Sequence, residues 1–471
     1  MDALSWGQIF AHMAWQFWPV WLALIVTFVV SISFKRRLGL YGKLYDSPVG
    51  MVGFGLVMFW VFTALFAQMI MTHDPLTQVS GMKNALPGFP QKGAEGVYYL
   101  LGGDNLARDV FSRMVAGSVL VIQIAPLATV FAFMVGITLG LPAGYYAGRL
   151  DTGLSFLANL ILAFPVILLF YLLVTPEIVL SGLPQYIGVI LFLFPLIFLT
   201  VLINSRLYVK PMLRNILISL VILIGGWLYL SLLSTPGSTI DLLSPGFDPI
   251  RMEPNILIVF VSVVFVNAPT VFRIIRGLVL DIKTRDYVAA SQTRGEGPWY
   301  IMLWEILPNA RGPLIVDFCL RIGYTTILLG TLGFFGLGLS PESPDWGSTI
   351  NAGRRLLSIY AHPAIVPALA LMSLVLGLNL LADFQPDLIK LDMALIRNID
   401  RDIREKFQQM LGDQSTLAKV NRAGYAAFGA IDTLVSVPAW ISAYRQGRRL
   451  QLPTTMACPR CLSSGLVLDS D

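Results

Sequence analysis

The chain has 471 residues, 56% of them hydrophobic and only 13% charged, against the roughly 25% charged that soluble domains carry, and this excludes an ordinary soluble globular protein. Its net charge of +5 is spread through short loops, which excludes the basic stripe of a nucleic-acid-binding protein. Three cysteines, Cys319, Cys458 and Cys461, are too few for a disulfide framework.

Apolar runs of about 20 residues, enough for a bilayer core of about 30 Å, fall near 14–33, 51–70, 119–142, 155–174, 186–204, 215–233, 255–272, 315–337 and 363–382. No Lys or Arg precedes the first run, and Lys35, Arg36 and Arg37 follow it. The positive-inside rule therefore sets the amino terminus outside and residue 35 inside, and a cleaved signal is not expected. Alternate loops then carry Lys43, Arg149, Arg206, Lys210, Arg214 and the group from Arg273 to Arg311. Nine crossings and the charge bias agree on an all-α integral membrane protein with its carboxyl terminus in the cytoplasm.

In the external loop after the second run, LGGDNLARDVFSRMVAG spans 101–117. Asp104 is expected to cap a helix with Val110, Phe111 and Met114 on one side. That helix would lie at the outer membrane surface, as a gate or as a packed loop helix. GYYAGRLD, 144–151, reads as a tight internal turn, and Phe164-Pro165 marks a bend or passive kink in the next run, Pro165 lacking a backbone donor. The basic linker NSRLYVKPMLRN joins two runs apolar on all sides, suited to lipid contact. Asp317 and Arg321 can pair at i, i+4, facing a cavity or snorkelling from near the internal end.

Between the last basic loop residues lies a polar island, 286–309, DYVAASQTRGEGPWYIMLWEILPN. Tyr287, Ala290 and Ser291 share a face at i, i+3 and i+4. Gly295, Gly297 and Pro298 break this first short helix, and a second is expected from Trp299 until Pro308 stops it. Two helices at right angles would make a knob able to fit a cleft in a soluble partner. Further on, Gly333, Gly336 and Gly338 are spaced for close helix approach, and Pro341, Pro344 and Trp346 suggest an external interfacial turn.

The island resembles the cytoplasmic EAA loop of ABC-transporter permeases of the dipeptide and oligopeptide family, DYVEAARALG followed by LPNA. Asp286, Tyr287, Val288, Ala290, Gly295, Leu307, Pro308, Asn309 and Ala310 match, while Ala289 stands where the family has glutamate and Ser291 where it has alanine. The segment 101–117 is similar to the family's LGTDNLGRDVFSRLLYG at Asp104, Asn105, Arg108, Asp109, Phe111, Ser112, Arg113 and Gly117, and Asp74-Pro75 and GTLGFFGLGLSPESPDWG, 330–347, fit the same pattern. The resemblance implies a six-helix type I importer permease core in two parts, 46–174 and 255–383. Around it stand an extra amino-terminal helix, 1–45, and an inserted pair, 175–254.

The resemblance implies that Asp286, Tyr287, Ala290, Gly295, Trp299, Leu307, Pro308 and Asn309 contact an ATPase. It implies that Asp104, Asn105, Arg108, Asp109 and Arg113 form an external pre-span helix, and that Pro165, Gly333, Gly336 and Gly338 serve gating or packing. No GxxxxGK[ST] occurs, so no bound cofactor or metal is expected, and ATP and Mg would sit on two partner ATPases. A second homologous permease, an external solute-binding protein and the lipid of the inner membrane complete the implied partners, with no nucleic acid.

The tail, 384–471, leaves this pattern. FQPDLIKLDMALIRNID, 384–400, resembles a fragment of an EAL-type cyclic-dinucleotide phosphodiesterase without the carboxylates that family uses for metal, and CPRC at 458–461 is a lone CxxC. Two rival readings follow, a secondary transporter or a membrane-tethered signalling protein acting through this tail. The first expects inverted repeats and charges within spans, and the second expects cyclic-dinucleotide binding by the tail.

Overall fold

The computed structural model describes residues 3–37, 41–91, 96–233, 254–337 and 343–383. Gly338, Pro341, the phosphodiesterase-like fragment and Cys458 and Cys461 lie outside these residues.

The described chain is a bundle of long helices. Helix α1 (Trp6–Gln16) and α2 (Trp18–Ser33) meet at a 58° bend. Pro48 at its first turn and the Ser47 hydroxyl, which accepts from Gly50 N at 3.4 Å, start α3 (Pro48–Leu65). The external loop after α3 carries the only sheet among the described residues, β1 (Phe89–Pro90) antiparallel to β2 (Tyr98–Tyr99). Helix α4 (Val110–Tyr146) runs 37 residues without interruption, about 55 Å at 1.5 Å per residue. Among the described residues there is no separate pre-span helix, because residues 110–118 are already the first turns of this span.

Ala147 and Gly148 both take positive φ, 56° and 68°, and turn the chain sharply into α5 (Gly148–Ala163). Phe164 and Pro165 then break the span, and α6 (Val166–Val174) leaves at 85°. This is larger than a passive kink. Helices α7 (Leu183–Arg206) and α8 (Pro211–Ser231) form the hairpin expected around the basic linker. Their apolar windows are 17% and 0% buried, as lipid-facing spans require. Next come α9 (Pro254–Ile282), α10 (Asp286–Thr293) and α11, which opens as Pro298–Tyr300, widens into π turns over Ile301–Ile306 and closes as Leu307–Asn309. Finally α12 (Arg311–Phe335), α13 (Trp346–Arg354) and α14 (His362–Asp383) follow. Among the described residues, seven helices are long and apolar enough to cross a membrane, nine with the two bent pairs, in step with the nine apolar runs.

The centre of the bundle is α9 against α4. Gly136, Gly140 and Gly144 form a ridge on α4, and a Cβ on each would lie 2.5, 2.9 and 2.7 Å from Val271, Ile275 and Val279 of α9. Only glycine permits that approach, and it lets the two backbones pack directly. Asp317 and Arg321 of α12 do pair, at 2.9 and 3.1 Å, but Arg321 is 7% exposed and also reaches Asn267 Oδ1 of α9 at 3.4 Å. The pair therefore faces the bundle interior, and Arg321 does not snorkel.

Candidate functional site

The polar island forms two consecutive helices seated on the ends of α4, α7 and α9. Its first helix turns a different face inward from the one spacing suggested. Val288 and Ser291 are buried, at 0% and 1% exposure, while Tyr287 is 38% exposed and Asp286, Ala289 and Ala290 also face out. The apolar residue of the 288/291 pair decides this, because burying Val288 removes more apolar surface than burying Ala290. Gly295 has φ +78°, which ends α10 in the left-handed region where glycine pays no Cβ penalty. A Cβ there would meet nothing within 4 Å.

The second helix ends at Asn309, one residue past Pro308. The widened turns over Ile301–Ile306 come just before that proline and absorb the lost i→i−4 bond. Asn309 Nδ2 donates to the Glu305 carbonyl at 2.6 Å, and after Ala310 the chain enters α12 at Arg311. Ile301, Met302, Leu303 and Ile306 bury this helix against Leu141, Val271, Ile275 and Val279, with Trp299 and Leu307 partly buried at the margin.

Polar contacts lock the two helices together. Ser291 Oγ donates to Glu305 Oε1 at 2.8 Å, and Arg294 Nη2 donates to Ser291 Oγ at 2.7 Å and to Glu305 Oε1 at 3.0 Å. Further bonds fix the pair to α4. Lys283 Nζ donates to the Gly144 carbonyl at 2.9 Å, and Gln292 Nε2 donates to the Tyr145 hydroxyl at 3.1 Å. Burial pushes the Tyr287 phenol up from its ordinary value, with Arg285 opposing and Glu305 and Asp281 adding to the rise. Val288, Ser291, Glu305 and Lys283 thus carry the module's structure. The i, i+3 spacing of Val288 and Ser291 was the signal for the buried face, and Glu305 is the only carboxylate of its helix.

At the opposite end of α4 the segment 104–113 is an interior joint, not an exposed helix. Asp104 does not cap α4. Its carboxylate accepts from Leu106 N and Arg108 N at 2.8 and 2.9 Å and from Arg108 Nε at 2.7 Å, folding the turn before the helix. The cap is Asp109, which accepts from Phe111 N, Ser112 N, Ser112 Oγ and Thr72 Oγ1. Arg113 donates to Thr349 Oγ1 at 3.0 Å and to the Ser343 carbonyl at 2.8 Å, tying α4 to α13. Asn105 is half-buried beside this turn.

Trp346, expected at a membrane interface, is 1% exposed. It packs over Gly117 and donates Nε1–H to the Met114 carbonyl at 2.8 Å. Gly333 makes room for the Asp345 carboxylate, which caps α13 through Ser348 N at 2.9 Å. Gly336, at φ +72°, terminates α12, and a Cβ there would meet nothing within 4 Å. Burial pushes the Asp345 carboxyl up, against hydrogen bonds from Ser348 and the charge of Arg113. Burial together with Asp109 and Asp104 pushes the Tyr99 phenol up to about 12.

The sites therefore fall at the two ends of α4. A family model described as "Binding-protein-dependent transport system inner membrane component" matches residues 136–392. The glutathione transport system permease protein GsiD of Pectobacterium atrosepticum is 27% identical, over 60% of this chain and 69% of its own length. The dipeptide transport system permease protein DppC of Haemophilus influenzae is 25% identical, over 71% and 87%. The di/tripeptide transport system permease protein DppC of Pseudomonas aeruginosa is 25% identical, over 69% and 81%.

Proposed function

The chain belongs to the inner-membrane components of binding-protein-dependent transport systems, a non-catalytic, multi-pass subunit, and from that premise we propose that it is a permease of an ABC importer for short peptides. It pairs with a second homologous permease around the pathway. Two ATPases carrying ATP and Mg drive it from the cytoplasm, and an extracytoplasmic solute-binding protein delivers the cargo. The peptide assignment rests on relatives named for dipeptide, di/tripeptide and glutathione transport. Family membership sets the secondary-transporter reading aside, and the signalling reading falls on tail residues outside those described.

One observation carries the coupling role. The 286–309 module turns Asp286, Tyr287, Ala290 and Gly295 outward while Lys283 and Gln292 pin it to the end of α4. A load applied to that outer face reaches α4 as a rigid-body displacement, and the glycine ridge passes it to α9. Closure of the ATPases can then bias two arrangements of the bundle, inward-facing and outward-facing.

The test is uptake of labelled dialanine and glutathione by membrane vesicles holding the chain with its companion subunits. ATP-dependent uptake is expected. Tyr287→Ala should lower ATPase retention by about 30-fold or more, the loss typical of a central interface aromatic. Uptake that continues without the ATPases would sink the proposal.

A further inference from the structure

The hairpin of α7 and α8 reads in the sequence as an addition with a lipid-facing role. Most of its surface fits that role, but its internal end does not. There, Ser205 Oγ accepts from Trp304 Nε1 at 3.0 Å, and the Arg206 guanidinium lies 4.7 Å over the centre of the Trp304 ring. Phe198, Val201 and Leu202, one to two turns earlier on α7, pack against the cluster that holds Ile301, Met302, Leu303 and Ile306. Trp304 sits in the middle of the widened turns of α11, where the usual four-residue hydrogen-bond spacing gives way to the wider five-residue one.

The charges make the contact specific. From Ile178 to Ile240 the chain has no Asp or Glu, and among the described residues Arg206 has no carboxylate partner. Its place over the indole is thus set by the ring and not by an ion pair. Arg206 also ends α7, where a cation is favoured by the helix dipole.

We propose that the α7–α8 hairpin is a brace for the second coupling helix, with Ser205 and Arg206 as positioning residues that hold Trp304. Because α11 is widened where it is gripped, a load on Tyr287 could otherwise be absorbed by rotation of α11. With Trp304 held to α7, the load goes on to α4 and α9. The inference rests on the coupling reading above.

The experiment uses the full chain with its companion subunits in membrane vesicles, reading ATP hydrolysed per labelled dialanine or glutathione imported. Ser205→Ala with Arg206→Ala should keep ATPase retention at the wild-type level and raise that ratio on the order of fivefold or more. Arg206→Lys, which keeps a cation over the ring, should restore it. An unchanged ratio in the alanine pair overturns the proposal, as does failure of Arg206→Lys to rescue. If the alanine pair does not reach the membrane, Trp304→Phe and Ser205→Ala form a cycle, since both remove the same hydrogen bond. A double variant no worse than either single one supports the brace, and summed effects overturn it. Failure of the coupling reading shows separately, as Tyr287→Ala leaving ATPase retention intact.

Discussion

His73 shows how single side chains organise the external end. Its Nδ1 lies 3.3 Å from Asp109 Oδ2 and its Nε2 2.8 Å from Gln91 Oε1, so both ring nitrogens face acceptors. Only imidazolium donates from both. Thr72 Oγ1 and the edge of the Tyr99 ring complete its surroundings. Burial pulls its pKa down, but the hydrogen bond and charge of Asp109, with Gln91, leave it above the ordinary 6.5. A raised folded-state value means the charged form is favoured by folding. The stabilisation is complete below about pH 6.5 and disappears as pH rises through the raised value. The thermal-unfolding midpoint of the chain in nanodiscs should therefore fall as pH rises from 6 to 9, and His73→Gln should flatten the fall. A wild-type profile already flat over that interval would refute the pairing.

The same residues show what a sequence can and cannot reveal at this scale. Asp104 and Asp109 are both good helix caps in isolation. The choice between them is made by Thr72 and His73, which the chain brings from another loop. Trp346 likewise reads as interfacial until Gly117, far away in the chain, leaves it a slot. Gly295 needed no such help, because the break before Pro298 and its left-handed φ are both local properties. Along α10, period alone favoured Tyr287, Ala290 and Ser291, whereas the real discriminator was the apolar bulk of Val288.

At the scale of elements, every long apolar run became helical, two of them as bent helix pairs, because backbone groups in a bilayer have no water to bond. The departures lie where two helices meet. The ridge Gly136, Gly140, Gly144 is visible as a regular four-residue repeat, yet which helix it receives is a tertiary fact. Gly140→Ala puts a methyl 2.9 Å from Ile275 Cβ and 3.1 Å from the Phe272 carbonyl. Backbone on one side and a β-branched residue on the other leave little room to yield. The expected cost is about 1–3 kcal/mol, as for other overpacked interiors, read as a drop in nanodisc melting temperature. The same substitution at Gly153, with nothing within 4 Å, is the matched control. Equal shifts for the two would show that α4 and α9 are not in direct backbone contact.

For the whole molecule, sidedness follows from charge and is reinforced by which loops touch. The 286–309 module and the residue Lys283 just before it meet the ends of α4 and α7 through Lys283 with Gly144 and Trp304 with Ser205. At the other end, Leu4 N donates to the Gly88 carbonyl, Arg113 to Thr349, and His362 Nε2 lies 3.2 Å from the Gly103 carbonyl. Each contact joins loops that nine crossings put on one side, and none among these joins opposite sides. The basic residues Arg149, Arg206, Lys210 and Arg214 all belong to the first group. In a background with Cys319, Cys458 and Cys461 replaced, a membrane-impermeant maleimide applied to intact spheroplasts should label Lys83→Cys at once. It should reach Thr293→Cys only after permeabilisation, since both positions are exposed and only the bilayer separates them. Immediate labelling at 293 would place the 286–309 module outside. No ATPase could then reach Tyr287, and the charge bias, the span count and the coupling proposal would fail together.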